Sequence, residues 1–332
     1  MTKAVFMNVK KEGEIQRVYN APRMQKILDT YEVYPEVLLP TELEKAKDFL
    51  AETELIFSTW GMPRINEEDI KKYFPKLKAV LYAAGSVKHF ATQMLNCGVK
   101  VCSAVSLNAI PVAEYVFAQI TLANKGLWGL LNRPVDERGA YSDNFPCNYG
   151  ATVGLIGMGN IGRMVAKKLQ ALEIEVLVYD PYFDKSLEKE YRVTKVENLK
   201  EIFEKADVIS NHLPDIPELF GILTKEYFSV MKPYATFINT GRGREVVEED
   251  LIAALTEVPT RTAVLDVTFP EPTTPDSPFR VMPNVILTPH IAGSKGGEIY
   301  RMADQMIEEA ERIISGEPLK YEVDAATLAR MA

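Results

Sequence analysis

A chain of 332 residues is longer than one hydrophobic core usually supports, because such cores stop growing at about 250–300 residues, so two domains are expected. The apolar content of 47% and the charged content of 25% are typical of a soluble globular protein. The net charge of −8 argues against a nucleic-acid-binding surface, which would need clustered Lys and Arg.

Short β-branched runs alternate with helical patterns along the chain, which is typical of parallel α/β architecture. In the first third, the predicted strands begin at Ala4, Leu55, Ala79 and Val99. A helix is then predicted, with Asn108 as its N-cap, Pro111 in its first turn and Gly126 beyond its end. Residues 127–150 lose periodicity, and a long irregular segment of this kind usually has a function or forms an interface arm.

The alternation restarts strongly in the second part of the chain. The predicted strands there begin at Val153, Glu175, Asp207, Thr236, Thr262 and Val285. A closing helix has apolar residues at helical spacing from Ile299 to Ile313, and Gly316 can end it. The stretch L-K-Y-E-V-D at 319–324 can form one more short extended segment. We therefore predict a domain over 105–296, flanked by residues 1–104 and 297–332 of another.

The restart carries a G-x-G-x-x-G motif at Gly157, Gly159 and Gly162, between a buried type of strand and a helix. Such glycines permit a tight turn, the approach of a pyrophosphate and close helix packing, while the helix N-terminus offers N–H groups to phosphates. The next strand ends at Asp180. Its carboxylate would accept hydrogen bonds from the ribose hydroxyls and would repel a 2′-phosphate. The motif predicts a dinucleotide site that prefers NAD to NADP; the alternative is a tight turn without a ligand.

Three polar residues fall at or just past predicted strand ends, namely Arg242, Glu271 and His290. Taken singly, each has an ordinary explanation: a solvated loop charge, an exposed acid in a Pro-rich loop and a turn histidine bonded to backbone. Their joint placement points elsewhere, because ligands of open α/β sheets bind at the carboxyl ends of the strands. We therefore expect all three to line one edge of the sheet.

Hydride chemistry on a 2-oxo acid would give each of these residues a task. An arginine fork can hold the carboxylate and polarise the carbonyl. A histidine titrates near the working pH and can protonate the developing alkoxide. A carboxylate beside that histidine fixes its tautomer and favours the imidazolium. Arg242, His290 and Glu271 supply this set.

The chain resembles the D-isomer-specific 2-hydroxyacid dehydrogenase family over nearly its whole length. The matching segments are N-A-I-P-V-A-E-Y at 108–115, V-G-L-I-G-M-G-N-I-G at 153–162, H-L-P at 212–214, I-N-T-G-R-G at 238–243, L-D-V-T-F-P-E-P at 265–272 and T-P-H-I-A-G at 288–293. The resemblance implies two Rossmann-like α/β domains with parallel sheets, the NAD-binding domain over 105–296 being inserted into a substrate-binding domain. It implies NAD-dependent interconversion of a D-2-hydroxy acid and its 2-oxo acid. It also implies a homodimer, with 127–150 as an interdomain or intersubunit arm.

The resemblance also implies residue roles. His290 would be the catalytic acid/base, Glu271 its partner and Arg242 the clamp on the substrate carboxylate and carbonyl. The cofactor would lie along Gly157, Gly159, Asn160, Ile161, Gly162, Asp180, His212, Leu213, Pro214, Thr240, Gly241, Arg242, Asp266, His290 and Gly293. Besides Arg242 and His290, the substrate would meet the backbone N–H groups of Ala84, Gly85 and Ser86. The family's G-x-D-N-x-D turn reads G-S-V-K-H-F here, so the substrate's identity does not carry over from relatives.

Two alternatives to this function stay open. One is a dehydrogenase of another small anion such as phosphite, which a similar Arg/Glu/His set supports. A formate dehydrogenase is disfavoured, because that branch of the family has an amide in place of Glu271. The other alternative is a non-catalytic, NAD-sensing regulatory protein, which can retain the same three residues.

The sequence also bears on location and metal content. The first residues contain no apolar core of a signal peptide, and the most apolar stretch, around 112–123, contains Glu114 and Gln119. The three cysteines show no zinc-site spacing and suit a reducing compartment. We therefore expect a cytoplasmic protein with a small acid as substrate, and with no metal, nucleic acid or membrane as partner.

Overall fold

The computed structural model describes residues 1–131 and 133–331, which form two compact units. The first unit comprises Met1–Asn108 and the chain from Ser294 onward, and the second comprises Ala109–Gly293. Each unit is built on its own parallel β-sheet with helices between the strands. The predicted α/β class with two parallel sheets is thereby confirmed.

The first unit contains a five-stranded parallel sheet. Its strands are β1 (Lys3–Phe6), β2 (Glu32–Val33), β3 (Thr53–Ser58), β4 (Ala79–Tyr82) and β5 (Lys100–Ser103), in the order β2-β1-β3-β4-β5. Its helices are Glu14–Val18, Ala21–Thr30, Lys47–Leu50, Glu67–Tyr73, Ala91–Asn96, Glu298–Ser315 and Ala325–Arg330, with a 3-10 turn at Pro40–Glu42. The four strands predicted for this region all form. The edge strand β2 was missed because two residues are too few to show alternation.

The closing helix of the first unit packs one apolar face into the core. The buried residues of that face are Ile299, Met302, Ala303, Met306, Ile307 and Ala310. The helix ends where Gly316 adopts φ +76°, as predicted. The tail then folds back along β5, because the buried Glu309 carboxylate accepts the N–H groups of Lys320 and Tyr321, and Val323 N–H donates to Val101 O. Within the predicted extended segment 319–324, Glu322 forms an isolated antiparallel bridge with Cys102, and Lys320 and Tyr321 lie in a bend, so the segment is not a strand.

The second unit contains a seven-stranded parallel sheet. Its strands are β6 (Tyr149–Ile156), β7 (Glu173–Tyr179), β8 (Thr194–Lys195), β9 (Val208–Asn211), β10 (Thr236–Asn239), β11 (Thr262–Leu265) and β12 (Val285–Leu287), in the order β12-β11-β10-β9-β6-β7-β8. Its helices are Leu127–Leu131, Arg138–Ser142, Asn160–Leu169, Glu188–Tyr191, Leu199–Lys205, Lys225–Phe228 and Glu248–Glu257. Its 3-10 turns are Val135–Glu137, Lys185–Leu187, Pro217–Leu219, Gly243–Glu245 and Pro278–Arg280. The strand order reverses beside β6, which creates the crevice where open α/β sheets bind ligands.

One long helix, Val105–Asn124, differs from its predicted form. It begins three residues before Asn108, so Asn108 is not the N-cap and Pro111 lies inside the helix rather than in its first turn. The Asn108 side chain instead accepts the N–H of Ser294 at 2.9 Å. By length and composition this helix could cross a membrane, but Val112, Val116 and Ile120 lie in the core of the second unit. Packing therefore accounts for its apolar character.

The segment 127–150 is more ordered than its lack of periodicity indicated. It holds two helices of five residues each, Leu127–Leu131 and Arg138–Ser142, and the first residues of β6; Asn132 lies outside the described residues. The Tyr141 ring packs against the rings of Phe145 and Tyr234, with centroids 5.2 and 5.6 Å away. Helices this short cannot display a 3.6-residue period, which is why the pattern did not show them. The role of the segment as an arm stays a prediction.

Candidate active site

The glycine-rich turn follows β6 directly at the point where the strand order reverses. Gly157 adopts φ +94°, and a Cβ added there would lie 2.8 Å from the carbonyl oxygen of His212. A Cβ on Gly162 would collide with the Gly157 carbonyl oxygen, so close packing of the helix requires glycine there too. Nothing lies within 4 Å of the corresponding position on Gly159, which caps helix Asn160–Leu169 without a side-chain bond. The turn therefore leaves room for an anion beside the N-terminus of the helix Asn160–Leu169, as a pyrophosphate requires.

Asp180 lies beside this turn, one residue after β7. Its Oδ2 accepts the N–H of Met158 at 2.7 Å, and its Oδ1 accepts the N–H of Tyr182 at 2.8 Å. These bonds hold the carboxylate against the glycine turn, and each oxygen keeps lone-pair capacity for a further donor. That position fits the predicted contact with ribose hydroxyls.

His212 and Thr240 present polar atoms that are buried without a protein partner. Among the described residues, no partner hydrogen-bonds either ring nitrogen of His212 or the hydroxyl of Thr240. Buried polar groups are almost always paired, so these atoms at a strand edge are available to hydrogen-bond a ligand. They follow β9 and β10, beside the glycine turn, and the residues present therefore fit a bound dinucleotide. Burial lowers the pKa of His212 to about 3, which keeps its imidazole neutral at physiological pH.

The three candidate catalytic residues follow three strands that are neighbours in the sheet. Arg242 comes after β10, Glu271 after β11 and His290 after β12, and these strands pair in parallel with Asn239, Leu265 and Leu287 in register. Parallel strands end at one edge, so the topology brings the three loops together as the sequence predicted.

His290 and Glu271 are in direct contact. His290 Nδ1 lies 2.6 Å from Glu271 Oε1, and both side chains are partly exposed. A contact between two partly exposed polar side chains contributes at most about 1 kcal/mol to stability, so folding does not explain it. His290 also adopts φ +50°, a strained conformation for a residue other than glycine, and such strain concentrates at functional sites.

The loop that carries His290 is held by Asp266. The buried Asp266 carboxylate accepts the Thr288 hydroxyl at 2.6 Å and the N–H groups of Ile291 and Ala292 at 2.8 and 2.9 Å. The Asp266 carbonyl accepts the N–H of His290 at 3.0 Å. The sequence suggested only that Asp266 lies along the cofactor; the structure adds that it organises the His290 loop.

We expect Asp266→Asn to destabilise the protein by roughly 2–3 kcal/mol. The amide cannot accept all three donors, and hydrogen bonds to a charged group contribute about 1.5–3 kcal/mol each. Urea unfolding followed by circular dichroism measures the change. Asp184→Asn is the matched control, because exposed Asp184 accepts one N–H, from Ser186, and should change stability by less than about 0.5 kcal/mol. Equal stability of Asp266→Asn and the unchanged protein would contradict the role given to Asp266.

Arg242 begins a short turn whose backbone is held by residues that the sequence analysis did not single out. The Arg242 N–H donates to Glu245 Oε2 at 3.1 Å, and its carbonyl accepts Asn239 Nδ2 at 3.0 Å. Asn211 Nδ2 donates to Glu245 Oε2 at 2.7 Å and to Asn239 Oδ1 at 3.1 Å. The Arg242 guanidinium donates from Nη1 to the Gly241 carbonyl oxygen at 2.7 Å. Its Nε lies 3.9 Å from Asp215 Oδ2. Glu245 stands three residues after Arg242 and reaches back to its N–H as the acid of a capping box does, but an Arg in place of Ser or Thr at the N-cap means that the sequence shows no capping-box signature.

The other predicted cofactor residues lie on the same elements. Asn160 and Ile161 open the helix after the glycine turn, and the backbone N–H groups of Leu213 and Gly241 donate to Asn211 Oδ1 and Asn239 Oδ1. Pro214 follows β9, and Gly293 ends the second unit.

The predicted substrate turn at Ala84–Ser86 follows β4 in the first unit. The Ser103 hydroxyl donates to the carbonyl of Gly85 at 2.6 Å. This bond holds the turn through a carbonyl and does not use its N–H groups. Val87 and Phe90, which replace acids of the family pattern, are fully buried in the core of the unit. The departure in sequence is therefore a packing change, and the substrate role of the turn stays a prediction.

Comparison with known proteins adds independent information. Residues 135–292 match the family model described as D-isomer specific 2-hydroxyacid dehydrogenase, NAD binding domain. A hydroxypyruvate reductase of Blautia hydrogenotrophica is 36% identical over 170 residues, covering 51% of this chain and 52% of the relative. A D-3-phosphoglycerate dehydrogenase of Methanocaldococcus jannaschii is 30% identical over 280 residues, covering 83% of this chain and 52% of the relative. These matches span about half the length of the two relatives. In structure, apo D-mandelate dehydrogenase of Rhodotorula graminis aligns with a TM-score of 0.80 at 19% identity over 98% of each chain, which shows the fold.

Proposed function

Because this chain belongs to the D-isomer-specific 2-hydroxyacid dehydrogenase family and carries its NAD-binding domain, we propose that it interconverts a D-2-hydroxy acid and its 2-oxo acid. The observation that carries the proposal is the contact of His290 with Glu271 at the sheet edge that Arg242 shares. The name of the related hydroxypyruvate reductase supports a 2-oxo acid as substrate. A homodimer in the cytoplasm, as the family resemblance implies, is part of the same proposal.

Each residue of the set has a step in the reduction. Bound NADH supplies the hydride that adds to the carbonyl carbon of the oxo acid. Arg242 presents two N–H groups in one plane, which can pair with the substrate carboxylate and polarise the carbonyl. His290 gives a proton to the oxygen as negative charge develops there, and takes it back in the oxidation.

Glu271 makes His290 suitable for that step. Its bond to Nδ1 fixes the tautomer and leaves Nε2 as the nitrogen for proton transfer. His212 does not suit this role, because burial lowers its pKa to about 3 and keeps its imidazole neutral, hence a very weak acid, near pH 7.

We expect the purified protein to oxidise NADH in the presence of at least one acid from a panel of glyoxylate, pyruvate, hydroxypyruvate and branched or aromatic 2-oxo acids. A kcat/KM above about 10⁴ M⁻¹ s⁻¹ would be ordinary for an enzyme. Absorbance at the NADH band gives the rate, and the reverse assay with D- and L-hydroxy acids gives the stereochemistry. Turnover of phosphite alone would favour the other-anion alternative. NADH binding without any turnover would favour the NAD-sensing alternative.

A further inference from the structure

The turn that carries Arg242 rests on a buried polar cluster formed by Asn211, Asn239 and Glu245. Asn211 and Asn239 end β9 and β10 and face each other in register, and all three side chains are at most 1% exposed. Glu245 is the member that can carry a charge. Its Oε2 accepts from Asn211 and from the Arg242 N–H, while its Oε1 has no hydrogen-bond partner within the described chain.

We propose that Glu245 is a positioning residue for Arg242, whose turn it holds in the conformation that presents the guanidinium to an anionic substrate. The proposal rests on the proposed function, because it takes Arg242 as the carboxylate clamp. Glu245 holds the turn at its N–H, and Asn239 holds it at its carbonyl, so the backbone of Arg242 is fixed on both sides. A shift of about 1 Å in such a group is enough to lower a reaction rate a hundredfold.

A carboxylate at this place is poorly explained by folding alone. Burying an ion with one unpaired oxygen is unfavourable, and a neutral amide of the same shape would avoid it. Burial raises the pKa of Glu245 from its ordinary value of 4.5 to about 7. A buried carboxylate that lowers stability beside a substrate-binding side chain such as Arg242 is typical of a functional site.

The charged groups that act on Glu245 are Arg242, which lowers its pKa, and Asp215, which raises it. Asn211 and Asn239, on the adjoining strands, are neutral. Protonation near pH 7 therefore decides whether the turn is held by charge-assisted hydrogen bonds or by the weaker neutral kind. We expect Arg242 to be held firmly above that pH and less firmly below it.

Glu245→Gln tests this through the ratio of the kcat/KM of the unchanged protein to that of the variant between pH 5.5 and 9. The ratio should be near 1 at acid pH, where both side chains are neutral, and rise to about tenfold through pH 7. The change should lie mainly in the KM for the oxo acid. Glu309→Gln is the matched control, because Glu309 is equally buried and accepts two N–H groups far from Arg242 in the chain; its ratio should be flat. A pH-independent ratio for Glu245→Gln would overturn the proposal.

A second measurement needs no substrate. The ¹⁵N–¹H signal of the Arg242 backbone amide should shift with a midpoint near pH 7 in the unchanged protein and stay constant in Glu245→Gln. Titration without turnover of any oxo acid would support the positioning contact while the proposed function fails. Turnover without titration would leave the proposed function standing and overturn the role of Glu245.

Stability gives a third readout, with a defined sign. Because the folded-state pKa is raised, the stabilisation by the bound proton is complete below pH 4.5 and is lost as pH rises through about 7. Glu245→Gln should therefore unfold at nearly the same urea concentration as the unchanged protein near pH 5, and at a higher one at pH 8.5. A lower midpoint at pH 8.5 would show that the carboxylate serves folding, against the proposal.

Discussion

Replacing His290 by Ala is expected to lower kcat about 10²- to 10⁴-fold, while NADH binds with a dissociation constant within a few-fold of the original. That range is what a positioned general acid or base contributes. Hydride can still be delivered in the variant, but the developing alkoxide must find its proton in water. Steady-state assays with the best oxo acid of the panel and NADH fluorescence titration measure the two quantities.

His290→Asn separates the chemistry from the backbone. Asparagine tolerates the left-handed conformation that His290 adopts at φ +50°, but it cannot transfer a proton near neutral pH. Both variants should lose activity to a similar extent. If either keeps more than about a third of the original kcat, His290 is not the acid/base.

Arg242→Lys is expected to lower kcat/KM for the oxo acid about 10²- to 10³-fold, although the positive charge is kept. Lysine is a point charge and cannot pair with a carboxylate through two parallel N–H groups. The loss of one well-placed donor to developing negative charge is enough for an effect of this size. The variant should bind NADH within a few-fold of the original affinity.

Arg244→Lys is the matched control for that change. Arg244 lies in the same turn, and its guanidinium stacks over the rings of Phe220 and Phe269, at 5.3 and 4.7 Å from their centroids. Its replacement should change kcat/KM by no more than about threefold. If the two lysine variants behave alike, the effect belongs to the turn in general and not to the clamp.

The sequence was a good guide to the sheets and to the arrangement of the candidate site. Strong β-branched runs and punctuating glycines identified the longer strands, and the strand ends predicted that the loops of Arg242, Glu271 and His290 leave the sheet at one edge. The family resemblance implied that one domain is inserted into the other, which stays a prediction. The sequence could predict these features because each depends on a local pattern or on the rule that parallel strands end at one edge.

The parts that were missed depend on contacts between distant residues. The sequence predicts an N-cap at Asn108 because the residue type suits one, yet its side chain accepts the N–H of Ser294, 186 residues later. The cluster under Arg242 joins Asn211 to Glu245 across 34 residues, and no local pattern marks a pairing of that kind. The burial of Val87 and Phe90 likewise follows from packing in the first unit and not from the turn sequence itself.

The strained backbone at His290 has a consequence for directed evolution. Glycine at position 290 would relax the left-handed conformation, which costs most residues roughly 1–2 kcal/mol. A library screened only for survival at high temperature therefore exerts no selection for the histidine at this position. Thermal selection of this protein has to be coupled to a turnover screen in every round, because heat resistance alone does not select for the proposed acid/base.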